Sequence, residues 1–443
     1  MSNRPYLAQG APLTAAQVEA NFADLHPLLT PAQAAIEAAR CLYCYDAPCV
    51  KACPTAIDIP GFIHRIRSGN IEGAARAILS ANIMGGTCGR ACPTEVLCEE
   101  VCVMQARGEA PIQIGQLQRH AVEHLIARGG EHPFRRAAPS GRTLAVVGAG
   151  PAGLSFAHRA ALLGHDVAVF EARAKPGGLN EYGLAAYKMA NDFARKEVDF
   201  LLGIGGIAIA YGKALGRDFT LEDLSRRHDA IFLGLGTGAV KALSLPGGDL
   251  PGVENALTFI AILRQARNKA ALKVPDNVVV IGGGNTAIDA AVQAKRLGAQ
   301  NVTLVYRRGE SDMSATPWEQ DLARRNGVAL TLWAAPLRFE GEGHVAQAVF
   351  EKTALVNGKL AGTGESFALA AGLVLKAIGQ DLEPLAGVRI ERGKIAVGAD
   401  FQTSLPGVFA GGDGIDTGED LTVRAVEDGK RAAIAVDAYV RSR

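Results

Sequence analysis

The sequence predicts an N-terminal α-helical domain followed by two α/β domains of the dinucleotide-binding type. Three observations predict it. Helix-start signals and apolar residues at helical spacing fill roughly the first 130 residues. All eight cysteines lie between Cys41 and Cys102. Beyond them, short β-branched strands alternate with Ala-rich helices, and one strand–glycine–helix pattern occurs twice.

In the helical part, Thr30, Pro31 and Gln33 supply an N-cap, a proline at the first helical position and a capping Gln, for a helix running to Arg40. Two further helices are expected over Ile71–Ala81 and Ile112–Ala127. The stretch from His132 to Gly141, with Pro133, Pro139 and Gly141, reads as a linker. A chain of 443 residues has room for several domains. Its 52 glycines form no low-complexity run, so they point to tight turns and close backbone approaches rather than disorder. A net charge of +1 without blocks of like charge argues against nucleic-acid or membrane-surface binding. No apolar run reaches the ~18 residues of a membrane span. The opening residues, MSNRPYLAQGAPLT, lack the basic-then-apolar pattern of an export signal, so a cytoplasmic location is expected.

Leu144–Val147 lead into Gly148, Gly150 and Gly153; Val278–Ile281 lead into Gly282, Gly284 and Ala287. A lone glycine motif is weak, but each copy here follows an apolar strand and opens a helix. Glycines let the backbone approach a pyrophosphate, and the helix N-terminus stabilises its charge. In the first copy Glu171 ends the next strand, where a carboxylate can accept ribose hydroxyls. Gly178 and Leu179 follow, similar to the Gly-Gly segment beside FAD in two-dinucleotide flavoproteins. Gly236 and Thr237 resemble the turn leaving an FAD domain, and Gly412 and Asp413 the strand end whose Asp bonds the flavin ribityl chain. Thr422 begins a helix whose N-terminus could face the flavin pyrimidine. The second copy should bind the nicotinamide cofactor. Tyr306 stands at the acid's position, followed by Arg307 and Arg308, which could pair with a 2′-phosphate. The choice between NADH and NADPH stays open. The expected domains are therefore 1–135 for the helical part, 141–250 with 390–443 for FAD, and 251–389, inserted between those two pieces, for NAD(P)H.

Cys41, Cys44, Cys49 and Cys53 form one thiol group, and Cys88, Cys92, Cys98 and Cys102 the other. Cysteines clustered in a chain without an export signal read as metal ligands. Three close cysteines and then a Cys-Pro follow ferredoxin logic, and two 4Fe–4S clusters need eight ligands. A pair of structural zinc sites is the alternative, although only Cys41 and Cys44 have the usual zinc-knuckle spacing.

The segments Cys41–Thr55, Gly89–Cys98 and Ala110–Arg119 closely resemble the N-terminal region of dihydropyrimidine dehydrogenase. The resemblance covers essentially the whole chain and is closest to the bacterial electron-input subunit of the NAD-dependent enzyme. The small subunit of glutamate synthase is similar in design but more distant. The resemblance implies FAD, two 4Fe–4S clusters, and NADH or NADPH as co-substrate. It implies one cluster on Cys41, Cys44, Cys49 and Cys102, and another on Cys53, Cys92, Cys98 and the Gln118 amide. Cys88 is then a free thiol near a cluster. Asn285 and Thr286 match an Asp-Thr pair that contacts the nicotinamide cofactor, with Asn in place of Asp. It further implies a hetero-oligomer with an FMN-containing catalytic subunit that reduces uracil or thymine. A glutamate synthase role is the rival enzymatic reading, and a zinc-bearing docking scaffold the non-catalytic one. No acid/base residue is nominated.

Overall fold

The computed structural model describes residues 13–383, 385–416 and 418–443; the first twelve residues, read above for an export signal, lie outside them. The described residues form two compact units, one within 26–181, 191–238 and 381–443, the other within 13–25, 182–190 and 239–380.

The larger unit begins with the cysteine-bearing helices. Thr30 and Gln33 close the expected capping box: Gln33 N–H donates to Thr30 Oγ1 at 3.3 Å and Thr30 N–H to Gln33 Oε1 at 2.9 Å. That helix is Pro31–Ala39, and the next expected one is Ile71–Ala81. The third starts at Ile114 rather than Ile112 and ends at Arg128. Pro111 lacks an amide hydrogen, and Glu37 accepts the Gln113 N–H at 2.9 Å, which fixes the start two residues later. Phe62 and Ile63 of a further helix, Ile59–Arg67, join Ile78, Leu117 and Val122 in the buried core among these helices.

The same unit holds a five-stranded sheet in the order Val408–Ala410, Ala230–Leu233, Thr143–Val147, Asp166–Glu171, Ile207–Tyr211, with every pair parallel. Helices Pro151–Leu162 and Thr422–Arg441 pack together beside it. A Cβ on Gly429 would lie 2.1 Å from the Ala152 carbonyl oxygen, so only glycine permits this crossing. The linker is held at its end: Ser140 Oγ hydrogen-bonds His165 Nδ1 at 2.7 Å, and His165 Nε2 meets Asp437 at 2.9 Å. This chain joins linker, sheet and terminal helix.

The smaller unit has a second parallel sheet, ordered Val253–Asn255, Leu373–Lys376, Asn277–Ile281, Asn301–Val305, Ala329–Thr331. Three antiparallel strands accompany it, Ala334–Glu340, Gln347–Val356 and Lys359–Ala370. Two sequence-distant pieces, within residues 13–25 and 182–190, also pack in this unit. Helix Ala15–Asn21 is tied by Asn21 Nδ2 donating to Arg296 O and an Arg296 guanidinium N–H donating to Asn21 O, both at 2.9 Å. Residues 182–190 bring Lys188 into a buried site, 2.7 Å from Asp289 and bonded to Glu319. Burial works against the Lys188 charge, but the two carboxylates outweigh it and push the ammonium pKa up. Such long-range partners leave no periodic signal in the chain. Among the described residues no helix is long and apolar enough to cross a membrane.

Candidate functional site

The first glycine turn joins strand Thr143–Val147 to helix Pro151–Leu162. Its three glycines serve three purposes. Gly148 has φ +99°, and a Cβ there would stand 2.4 Å from Gly234 O. A Cβ on Gly153 would stand 2.0 Å from Gly148 O, so this glycine seats the helix against the strand. Gly150 would meet nothing nearer than the Gly178 Cα at 3.9 Å, leaving bare backbone at a helix start. Gly177 N–H donates to Ala149 O at 2.7 Å, which lays the Gly178 and Leu179 segment along this turn. Glu171 lies buried at the end of its strand, accepting the Ala149 N–H at 2.8 Å and the Arg173 N–H at 2.7 Å. Its carboxylate is thereby fixed beside the bare glycine backbone.

Two other turns adjoin. Gly236 has φ +63°, and its carbonyl oxygen lies 3.5 Å from where a Gly414 Cβ would sit. Thr237 follows it in that turn. Gly412 N–H donates to the buried Asp428 at 3.1 Å. Burial, with the Asp420 carboxylate next, pushes the Asp413 carboxyl up to about 6; ionised above that pH, it accepts hydrogen bonds from hydroxyls. Thr422 Oγ1 donates to Asn180 Oδ1 at 3.1 Å, bringing the start of helix Thr422–Arg441 to the segment after Gly178 and Leu179. No side chain caps that start. Together these form a crevice at the carboxyl ends of adjacent parallel strands, with bare backbone for a pyrophosphate, acids for hydroxyls and a helix dipole for negative charge. The residues fit FAD.

The second turn repeats the geometry with other side chains. Gly282 has φ +148°, and a Cβ would lie 2.2 Å from Ala377 O. Gly284 starts helix Asn285–Leu297 without a side-chain cap, and Ala287 is fully buried where the first turn has Gly153. Asn285 Oδ1 accepts the Thr316 N–H at 3.3 Å, so its Nδ2 donor is the atom left for a ligand; Thr286 is half-buried beside it. A carboxylate at 285 would have offered an acceptor instead. The Tyr306 ring covers Gly283, and its hydroxyl donates to Asp312 O at 2.7 Å. Arg307 and Arg308 are exposed, with only their carbonyls engaged, by Thr353 and Trp333 respectively. Two uncommitted guanidinium groups suit a nucleotide phosphate.

The thiols fall into two groups. Cys41, Cys44, Cys49 and Cys102 line one pocket with Ile59, Ile63, Met104, Ile112 and Ile114. Burial, then Cys41 and Cys102, pushes the Cys49 thiol up to about 12; burial also raises Cys41. Cys53, Cys92 and Cys98 form the second group. A hydrogen bond with Cys88, then burial, raises Cys92, with Cys98 and Cys53 adding to it; burial and Glu99 raise Cys98. Thiols crowded on apolar walls ionise only with a cation among them. No group of three or more His, Cys, Asp or Glu among the described residues closes on a single metal ion. Four sulfurs standing around a cavity fit a polynuclear cluster. Gln118 is buried on helix Ile114–Arg128, its Nε2 donating to Gly85 O at 2.6 Å, so the amide oxygen is the atom that bond does not use.

Sequence reasoning did not single out Glu197. This buried carboxylate on helix Phe193–Leu202 accepts N–H groups of Gly86 and Thr87 and the Thr87 hydroxyl, and so caps helix Gly85–Ala91, which carries Cys88 and leads to Cys92. Burial pushes its pKa up to about 7 against those bonds. Lys430 Nζ also donates to Ala81 O at 2.9 Å. The thiol helices are thus bonded to the helices beside the first sheet. The only sequence hint was an acid in the apolar stripe Phe193, Val198, Leu201.

Two known families match the chain. Residues 18–129 match a 4Fe–4S cluster family described as dihydropyrimidine dehydrogenase domain II, and residues 142–429 match pyridine nucleotide-disulphide oxidoreductase. The NAD-dependent dihydropyrimidine dehydrogenase subunit PreT of Escherichia coli is 34% identical over 425 residues, covering 95% of this chain and 98% of that protein. The small chain of NADPH glutamate synthase from Escherichia coli is 32% identical over 449 residues, covering 95% and 94%. Among solved structures, Mycobacterium tuberculosis FprA in complex with NADPH superposes with a TM-score of 0.57 at 20% identity, over 68% of this chain and 85% of that one; this likeness concerns the fold.

Proposed function

The chain belongs to the pyridine nucleotide-disulphide oxidoreductase family with a 4Fe–4S domain before it, and from this premise we propose that it is the electron-input subunit of a dihydropyrimidine dehydrogenase. When bound, FAD takes a hydride from NADH or NADPH, and two 4Fe–4S clusters carry the electrons singly to an FMN-containing partner that reduces uracil or thymine. In this reading residues 1–135 are centred on the clusters, 141–250 and 390–443 on FAD, and 251–389 on the nicotinamide nucleotide.

The observation that carries it is that the glycine crevice and both thiol groups are built into one compact unit, joined through Glu197. Gly148, Gly150, Gly153 and Gly178 would receive the FAD pyrophosphate, Glu171 the ribose and Asp413 the ribityl hydroxyls. Gly236 and Thr237 would border the same crevice, and the start of helix Thr422–Arg441 would stabilise negative charge on the flavin ring. Gly282, Gly284, Asn285 and Thr286 would hold the nicotinamide nucleotide, with Arg307 and Arg308 reaching a 2′-phosphate. Cys53, Cys92, Cys98 and Gln118 would hold the cluster on the flavin side, because helix Gly85–Ala91 packs against the helices flanking the first sheet. Cys41, Cys44, Cys49 and Cys102 would hold the outer one, where Leu42 and Tyr45 are exposed.

Anaerobic purification followed by iron and flavin assays and parallel NADH and NADPH titrations tests the reading. The expected result is about eight irons for two cubane clusters, one FAD, bleaching by a nicotinamide nucleotide, and uracil reduction once the FMN subunit is added. Zinc in place of iron, or flavin that neither nucleotide reduces, would overturn it. A glutamate synthase role is the second reading, favoured by the uncommitted Arg307 and Arg308; glutamate formation with an amidotransferase subunit, and no uracil reduction, would support that instead.

A further inference from the structure

Helix Asn285–Leu297, which opens at the second glycine turn, carries Asn285, Asp289, Gln293 and Arg296 at helical spacing, and therefore on one face. The segment Ala185–Lys188 lies along that face. Ala185 N–H donates to Asp289 Oδ2 at 3.2 Å, and Ala186 N–H to Gln293 Oε1 at 2.9 Å. The Arg296 guanidinium stands 4.0 Å from the centre of the Tyr187 ring, whose hydroxyl donates to Asp289 Oδ1 at 3.3 Å. Lys188 completes the row with its bonds to Asp289 and Glu319. Asn285, one turn before Asp289, accepts the Thr316 N–H at 3.3 Å through Oδ1. Thr316 in turn caps helix Pro317–Arg325, its Oγ1 accepting the Glu319 N–H at 3.3 Å. These bonds close a ring that runs from Lys188 to Asp289, up one helical turn to Asn285, across to Thr316, on to Glu319 and back to Lys188. The lysine and both acids are buried, and Ala315 N–H donates to Gly283 O at 2.9 Å, which holds the chain before the second helix on the glycine turn.

We propose that Lys188 is a positioning residue for the nicotinamide nucleotide: it closes this ring and so fixes the Asn285 amide with Nδ2 turned to the ligand. The inference rests on the nicotinamide assignment above. An amide side chain has two orientations, and one of them would present an oxygen to an anionic ligand. The Thr316 N–H selects the other orientation only while the two helix starts keep their separation. Lys188 bonds both helices, and charged bonds in a water-excluding interior hold that separation more firmly than exposed ones would.

The test is isothermal titration calorimetry of the anaerobically purified full chain with oxidised NAD and NADP, with flavin and iron content measured in parallel. Wild type, Lys188→Met, Asn285→Ala and the double variant form one cycle. Asn285→Ala is expected to raise Kd for the preferred nucleotide about 5- to 10-fold, the loss of one well-oriented hydrogen bond. Lys188→Met should raise it to a similar extent at wild-type flavin and iron content. The double variant should bind no worse than the weaker single one, because both changes remove the same contact. Two buried carboxylates without their ammonium destabilise a fold, so Glu319→Gln, which keeps an acceptor for Lys188, runs through the same cycle. It should raise Kd by less, again with no further loss beside Asn285→Ala. Unchanged affinity in a folded Lys188→Met, or in Glu319→Gln should Lys188→Met fail to fold, would overturn the proposal. Losses that multiply with that of Asn285→Ala would overturn it equally, since Lys188 would then act by another route. A wild-type chain that holds flavin and binds neither nucleotide would instead strike the functional reading itself.

Discussion

The two glycine turns share a backbone and differ in almost everything attached to it. Both follow the central strand of a five-stranded parallel sheet, use a glycine at positive φ to reverse direction, and open a helix without a side-chain cap. The first needs glycine at its last position, because Gly153 Cα lies under the Gly148 carbonyl; the second accommodates Ala287 there. The first ends its neighbouring strand in a buried acid held by two backbone amides, the second in a tyrosine and two exposed arginines. Their flanking charges differ as well. Asp289, on the helix after the second turn, shares Lys188 with Glu319; in the unit that holds the first, Glu197 is held by amides and a hydroxyl, with the Arg90 guanidinium near it. Backbone geometry makes a nucleotide turn, and the side chains at the strand end decide which nucleotide it suits.

The largest expected effect comes from exchanging the last position of each turn. Gly153→Ala should cost on the order of 3 kcal/mol or more and abolish FAD retention, since the new methyl would press on a backbone oxygen that cannot yield. Ala287→Gly should lower stability by only about 1 kcal/mol and leave reduction by nicotinamide nucleotide near wild type. Flavin content and thermal melts of both variants check this, and equal damage from both would break the comparison.

The strand ends give the next effect. Replacing Arg307 and Arg308 together by Ser should lower kcat/KM for NADPH about 10- to 100-fold, the loss of charge-assisted hydrogen bonds of ~1.5–3 kcal/mol. NADH should be little affected, since it carries no 2′-phosphate. Parallel steady-state kinetics decide it, and an equal fall for both nucleotides would mean that the arginines hold the nucleotide elsewhere.

Glu197 gives the smallest effect, a change in pH dependence. Its folded pKa of about 7 lies above the ordinary 4.5, so the folded state retains a proton that the unfolded chain releases. The stability this contributes is complete below pH 4.5 and is lost as the pH rises to about 7. Glu197→Gln, which keeps a carbonyl acceptor, should flatten that fall. Denaturant melts of the two proteins between pH 5 and pH 8 measure it, and parallel slopes would show that Glu197 titrates normally.

Much of the site was legible in the chain because it is written in local constraints. Positive-φ glycines, proline after a cap, strand alternation and cysteine spacing act over a few residues, and both glycine turns and the helix Ile71–Ala81 stand where those signals put them. The two-residue error at Ile112 came from Glu37, distant in sequence, which takes the Gln113 amide. The packing of Ala15–Asn21 and of residues 182–190 beside the second sheet was not legible either. It depends on Arg296 and on the Lys188, Asp289 and Glu319 site, whose members have no fixed spacing.

The classes of chemistry are written along the chain: bare glycine backbone at helix starts, a strand-end acid in one turn and arginines in the other, and thiols confined to one helical region. Tertiary structure decided which of these groups meet. It gathered Cys41, Cys44 and Cys49 with Cys102 across more than fifty residues of chain, turned the Asn82 amide onto Cys88, and set Glu197 beneath the helix leading to Cys92. The physical reason is range. Backbone conformation and capping are settled within a few residues, whereas burial and pairing of polar groups depend on which distant segments exclude water together.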